Sequence, residues 1–161
     1  MAKENKTNAM RRLDALKLSY QEHEYDADEA LSGVEVARTL GQEPERVFKT
    51  LVTVGKSGEH YVFLVPVAEE LDLKKAAAFV GEKSVAMVRS KELLGLTGYI
   101  HGGCSPIGMK KLFRTTVHST AQQFDTILFS GGRIGFQIEL SPVLLQKVIP
   151  FRYADIIKTN D

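Results

Sequence analysis

Apolar residues recur at helical spacing at Met10, Leu13 and Leu16, which predicts an amphipathic surface helix over residues 7–18 with a basic face around Arg11 and Arg12. Residues 19–25 alternate aromatic or apolar-tolerant positions with charged ones, as a half-exposed strand would. Ser32-Gly33-Val34-Glu35 has capping-box spacing, so a helix is expected through Val36, Ala37 and Leu40 to Gly41. Two apolar, β-branched runs at 47–54 and 61–67 flank Gly55-Lys56-Ser57-Gly58, and together they predict a hairpin. Asp72 is placed to cap a helix that ends at Gly81, and Ser90 to cap a short one before Gly95, with short strands expected at 85–88 and 99–101. Beyond the loop 102–108 come strand candidates at 112–118, 126–129 and 134–140. Ser141-Pro142 then opens a last helix, and residues 148–157 close the chain.

No regular strand, helix, strand repeat appears, so the expected class is α+β with a mostly antiparallel or mixed sheet. At 161 residues, 43% hydrophobic and 25% charged, without linker or internal repeat, the chain reads as one domain over 1–161. Its 21 basic and 20 acidic side chains leave a formal net charge of +1, too balanced to hold a polyanion by bulk electrostatics. The single cysteine, Cys104, excludes an internal disulfide and a Cys-rich zinc site. The charged start leads into no apolar segment and no run approaches membrane-spanning length, so neither secretion signal nor anchor is read and a reducing cytoplasm is expected.

Candidate chemistry gathers at three places. Within 47–52, alternation puts Val47, Lys49 and Leu51 on one face and Phe48, Thr50 and Val52 on the other, so either inward face carries a polar residue. Lys49 there is costly unless it meets a carboxylate, a phosphate or solvent at a pocket mouth; a snorkelling edge lysine is the plainer alternative. In Tyr99-Ile100-His101-Gly102-Gly103-Cys104-Ser105-Pro106-Ile107-Gly108, paired glycines after a strand candidate can bring backbone N–H groups close to a ligand, or form only a tight turn. His101 and Cys104 invite a Cys-His nucleophile pair, although sequence proximity carries little weight and a lone cysteine is more often a small packed residue. In Ser130-Gly131-Gly132-Arg133, with Gln137 and Glu139 on one face of the next strand, the expectation for Arg133 and Glu139 is a turn and a solvated face. Ser130 and Gln137 are candidates to face the glycine loop. No cluster has metal-ligand spacing.

The segments 47–51, 71–75, 97–99 with 102–108, and 130–132 with 138–140 occur in the order and spacing of the YbaK/EbsC family of Cys-tRNA(Pro) deacylases, which this chain resembles over nearly its whole length. The resemblance implies a mixed, strongly curved, barrel-like sheet surrounded by helices, akin to the editing domain of bacterial prolyl-tRNA synthetase. It implies a cofactor-free hydrolase of mischarged tRNA(Pro), with aminoacyl-tRNA as substrate, prolyl-tRNA synthetase as partner, and neither DNA nor membrane. By the same resemblance, Lys49 is the essential lysine, Tyr25 and Ser130 are pocket residues beside Thr50, and Gly102 and Gly103 hold the aminoacyl group. Gln137 stands where an aspartate is associated with the family; it can orient the substrate amine without pairing its charge. The implied mechanism is attack of the substrate's own thiol on the ester, with release of a thiolactone. Three alternatives stand beside it: an Ala-tRNA(Pro) deacylase using bound water, a non-catalytic tRNA- or protein-binding regulator, and a hydrolase with Cys104 as nucleophile.

Overall fold

A computed structural model describes residues 6–26 and 31–159. Five helices and eight strands follow one another as α1 (Asn8–Ala15), β1 (Gln21–Glu24), α2 (Gly33–Thr39), β2 (Phe48–Gly55), β3 (His60–Pro66), α3 (Leu73–Val80), β4 (Val85–Met87), α4 (Ser90–Thr97), β5 (Arg114–His118), β6 (Ile127–Ser130), β7 (Phe136–Leu140), α5 (Pro142–Val148) and β8 (Phe151–Ala154). Two 3-10 turns that periodicity did not signal, Pro44–Arg46 and Ser119–Gln123, lead into β2 and out of β5.

The strands form two sheets and do not close into a barrel. A three-stranded antiparallel sheet has the order β1-β7-β6, and a five-stranded mixed sheet the order β4-β2-β3-β5-β8. β3, β5 and β8 run parallel to one another, while β2 pairs antiparallel with both β3 and β4. An isolated parallel bridge, Val47 to Leu128, joins the two sheets. The larger core cluster fills the space between them with Phe48, Val52 and Leu64 from one sheet, Phe129, Ile138 and Leu140 from the other, and Met10 and Leu13 from α1. Phe48 is 2% exposed, and sealing a side chain of that size contributes about 1.5–3 kcal/mol. A second cluster, with Phe63, Val65, Ala76 and Ile156, packs α3 and the C-terminal segment against the other face of β3.

Local chemistry sets most boundaries. Thr7 caps α1 by accepting from the Met10 N–H, and its hydroxyl donates to the Gly131 carbonyl, tying the helix to the β6–β7 turn. Ser32 and Glu35 form the reciprocal capping box, and Asp72 accepts from the Lys74 and Lys75 N–H groups. Two expectations are corrected. The helix placed after Ser90 has Arg89 as its N-cap and runs through Gly95 to Thr97, because the left-handed residue that ends it is Gly98. Residues 99–101 form no strand: the Tyr99 side chain turns inward and donates a 2.6 Å hydrogen bond to the Ile107 carbonyl, closing the glycine loop on itself.

Candidate active site

The site lies where β2 lacks a neighbour. β4 pairs with β2 only from Thr53 to Gly55, and Val52 adds one more bond by accepting from the Val88 N–H at 3.1 Å. At the other end Val47 bridges to Leu128, so residues 48–51 have no strand partner on that edge among the described residues. Backbone groups alternate sides along a strand, and since the Val52 carbonyl points to this edge, the N–H and carbonyl of Thr50 do so as well.

A cavity of about 250 Å³ occupies the gap, at the small end of the range for ligand sites. Its apolar wall includes Phe48, Val52, Val88 and Leu93, and its polar groups include Tyr25, Lys49, Thr50, Arg89, His101, Ser130 and Gln137. Segments distant in sequence converge here: β2, the start of α2, the stretches before and after α4, and the small sheet. Of the residues expected from sequence, Tyr25, Lys49, Thr50, Gly102, Ser130 and Gln137 line this one cavity. Gly103 is not among its lining residues: its N–H donates to the Ile100 carbonyl at 3.0 Å, and a Cβ built on it would lie 2.8 Å from the Arg133 Cα. Gly103 therefore packs the loop against the β6–β7 turn, while Gly102, at φ +88°, takes the left-handed conformation that presents the loop to the cavity.

Lys49 is partly buried, and burial lowers its pKa, offset in part by Glu70 and Glu69. Among the described residues it makes no ion pair, and none of those lining the cavity is a carboxylate. Two buried oxygens in the cavity wall also lack partners, Thr50 Oγ1 and Gln137 Oε1, and Gln137 is only 7% exposed. Such groups cost stability in the empty protein and favour a ligand that supplies the missing hydrogen bonds. Ser130 Oγ accepts from the Gly132 N–H at 3.2 Å and pairs in register with Gln137 across the β6–β7 ladder.

Cys104 reaches the wall of the same cavity, but burial pushes its thiol up to about 11, and no hydrogen bond joins it to His101. A buried thiol kept protonated is a packing group rather than a nucleophile.

The sequence profile of the aminoacyl-tRNA editing domain matches residues 28–148. This chain belongs to that family. It is 46% identical over 154 residues to an Enterococcus faecalis protein provisionally named Cys-tRNA(Pro)/Cys-tRNA(Cys) deacylase EbsC, the match covering 95% of this chain and 94% of the other. A proline–tRNA ligase of Thermosipho melanesiensis is 33% identical over 78 residues, which is 48% of this chain and 14% of that enzyme. Among solved structures, one provisionally described as a trans-editing enzyme for prolyl tRNA synthetase superposes with a TM-score of 0.82 at 26% identity, covering 94% of this chain and 98% of that one. The editing-domain fold thus places the cavity between its two sheets, with Lys49 and Thr50 on one and Gln137 and Ser130 on the other.

Sequence reasoning set Glu139 aside as part of a solvated face, and the structure corrects this. Glu139 is largely buried, takes a hydrogen bond from Thr126 at 2.6 Å, and lies 2.7 Å from His23 Nε2 and 3.3 Å from Arg46 Nη2. Burial raises its pKa, but the hydrogen bonds with Thr126 and His23 and the nearby Arg46 guanidinium outweigh that and hold the carboxyl below its usual range. Arg133, also set aside, stacks over the Phe136 ring at 3.9 Å.

Proposed function

We propose that this chain is a trans-editing hydrolase that removes a wrong amino acid, cysteine foremost, from tRNA(Pro). The observation that carries the reading is the cavity at the open edge of β2, which gathers a desolvated lysine, two buried oxygens without partners and the Gly102 backbone within a small apolar enclosure. An aminoacyl ester is already activated, so positioning and carbonyl polarisation suffice without a strong enzyme nucleophile. Lys49 holds the terminal ribose or phosphate and the ester oxygen, the Gly102 N–H steadies the carbonyl, and Gln137 Oε1 accepts from the α-amine. Tyr25, Thr50 and Ser130 enclose the remainder. The name of the Enterococcus relative, which includes Cys-tRNA(Pro), supports the choice of substrate.

The cysteinyl thiol attacks its own ester carbonyl: a C–S bond forms, the bond to the ribose 3′ oxygen breaks, and the thiol proton is passed on to that oxygen. The products are a thiolactone and free tRNA. With a net charge of +1, the protein holds free tRNA weakly, and prolyl-tRNA synthetase is the partner that delivers the tRNA. Such an editing step belongs to the cytoplasm.

The test is deacylation of tRNA(Pro) charged separately with cysteine, alanine, serine and proline. Release of cysteine with proline left in place supports the reading, and intact Cys-tRNA(Pro) under stoichiometric enzyme overturns it. Adding purified synthetase is expected to raise the preference for tRNA(Pro) over tRNA(Cys).

A further inference from the structure

The four residues of this half-buried polar network repeat the cavity residues a step along each segment. His23 lies two residues before Tyr25, Glu139 two after Gln137, Thr126 four before Ser130 and Arg46 three before Lys49. Alternation therefore puts His23, Glu139 and Thr126 on the sheet face that also carries Tyr25, Gln137 and Ser130. Arg46 comes from the other side of the site, as the last residue of the 3-10 turn before β2. Its Nε and Nη2 donate to the Thr126 carbonyl at 3.3 and 3.2 Å, and Nη2 reaches Glu139.

Apart from the apolar core between them, the two sheets are joined among the described residues by one isolated backbone bridge, Val47 to Leu128, and a single bridge fixes register far less firmly than a ladder. Apolar packing around it, with Ala37 and Val67, carries most of the cohesion, and the polar network adds contacts of fixed direction at its edge. Partly buried, the cluster contributes little net stability, its desolvation cost offsetting much of its attraction; what it can supply is a defined geometry.

We propose that Glu139 is a positioning residue for deacylation: by holding Arg46, Thr126 and His23 together it fixes the sheet bearing Lys49 and Thr50 against the sheet bearing Gln137 and Ser130. The inference rests on the deacylase reading of the cavity. Glu139 touches no substrate. Its effect is on the spacing of the groups that do, where a shift of about 1 Å can cost up to about a hundredfold in rate.

Single-turnover deacylation of Cys-tRNA(Pro), measured across enzyme concentrations at a temperature where every variant is folded, separates the saturating rate from half-saturation. Glu139→Ala is expected to lower the saturating rate by about ten- to a hundredfold with half-saturation nearly unchanged. Arg46→Ala should do the same, and the double variant should be no worse than either single one, as for members of one unit. Glu139→Gln keeps the side-chain length and one acceptor oxygen, and should recover most of the loss. Val80→Ala, in the separate cluster behind β3, provides a variant lowered in stability without touching the network. The proposal is overturned if Glu139→Ala turns over at the wild-type saturating rate, or if Val80→Ala with a matching drop in Tm loses as much. Wild-type inactivity on this substrate would remove the deacylase reading itself, and this proposal with it.

Discussion

Thr50 and Gln137 line the same cavity from two different sheets, and Thr50 Oγ1 and Gln137 Oε1 are buried oxygens without a hydrogen-bond partner among the described residues. An unsatisfied buried acceptor costs about 1–3 kcal/mol, so Gln137→Leu is expected to stabilise the empty protein while weakening its grip on the substrate amine. Melting curves should show Tm raised by about 2–4 °C for each kcal/mol relieved, with a higher half-saturation in deacylation. A lower Tm with unchanged deacylation would mean that Gln137 serves the fold and not the ligand.

Lys49 should show the same opposition of stability and activity. Its pKa in the folded protein lies below the ordinary 10.5. A lysine shifted that way disfavours folding wherever it is protonated in both states, and the penalty fades as pH rises from the folded value toward the unfolded one. Lys49→Met should therefore abolish deacylation yet leave Tm equal or higher at neutral pH, with any advantage shrinking as pH approaches 10.5. Near-normal turnover, or a large loss of Tm, would contradict the placement of Lys49 at the ester.

Cys104 should be dispensable. With its thiol held at about 11, it is neutral at working pH and 7% exposed. Cys104→Ser is expected to retain activity, and iodoacetamide should not inactivate the native protein at neutral pH. A loss of more than about a hundredfold with unchanged Tm would indicate covalent catalysis.

Gly103 tests the loop from the other side. A methyl group there meets the Arg133 Cα at 2.8 Å and the Ile134 N at 3.0 Å, both backbone atoms that cannot swing aside. Gly103→Ala should push the loop and the β6–β7 turn apart, lowering Tm and deacylation together, in contrast to the opposed effects at Gln137 and Lys49. An unchanged Tm would show that the loop is not packed as described.

What the sequence revealed and what it hid divide along physical lines. Caps and turns are local, so Ser32 with Glu35, Asp72, Gly81 and the hairpin after Gly55 were legible from adjacent residues. The ends of α4 were not, because Gly95 and Gly98 look alike in sequence and only the backbone shows which is left-handed. Lys49 could be noticed because either face of β2 had to bury something polar. That both faces are covered, Phe48 and Val52 by one cluster and Leu51 by another, depends on strands distant in sequence. The open edge of β2 follows from its pairing with the β4 segment ending at Val52, which no periodicity encodes. Glu139 gave a misleading signal: an acidic residue alternating with Ile138 and Leu140 reads as solvent-facing, and its partners Arg46 and His23 lie 93 and 116 residues away.

The attacking atom is the point on which the account rests. In the proposed mechanism the nucleophile is the substrate's own thiol, and neither the Cys104 thiol, held at about 11, nor the neutral amide of Gln137 competes with it. Single-turnover rates on Cys-, Ser- and Ala-tRNA(Pro) at saturating enzyme remove differences in binding and test this directly. Cysteine should be released fast, and release should be much slower for serine, whose hydroxyl is close in size but a poor nucleophile at neutral pH, and for alanine, which has none. Serine or alanine released as fast as cysteine would contradict it and assign the attack to a bound water.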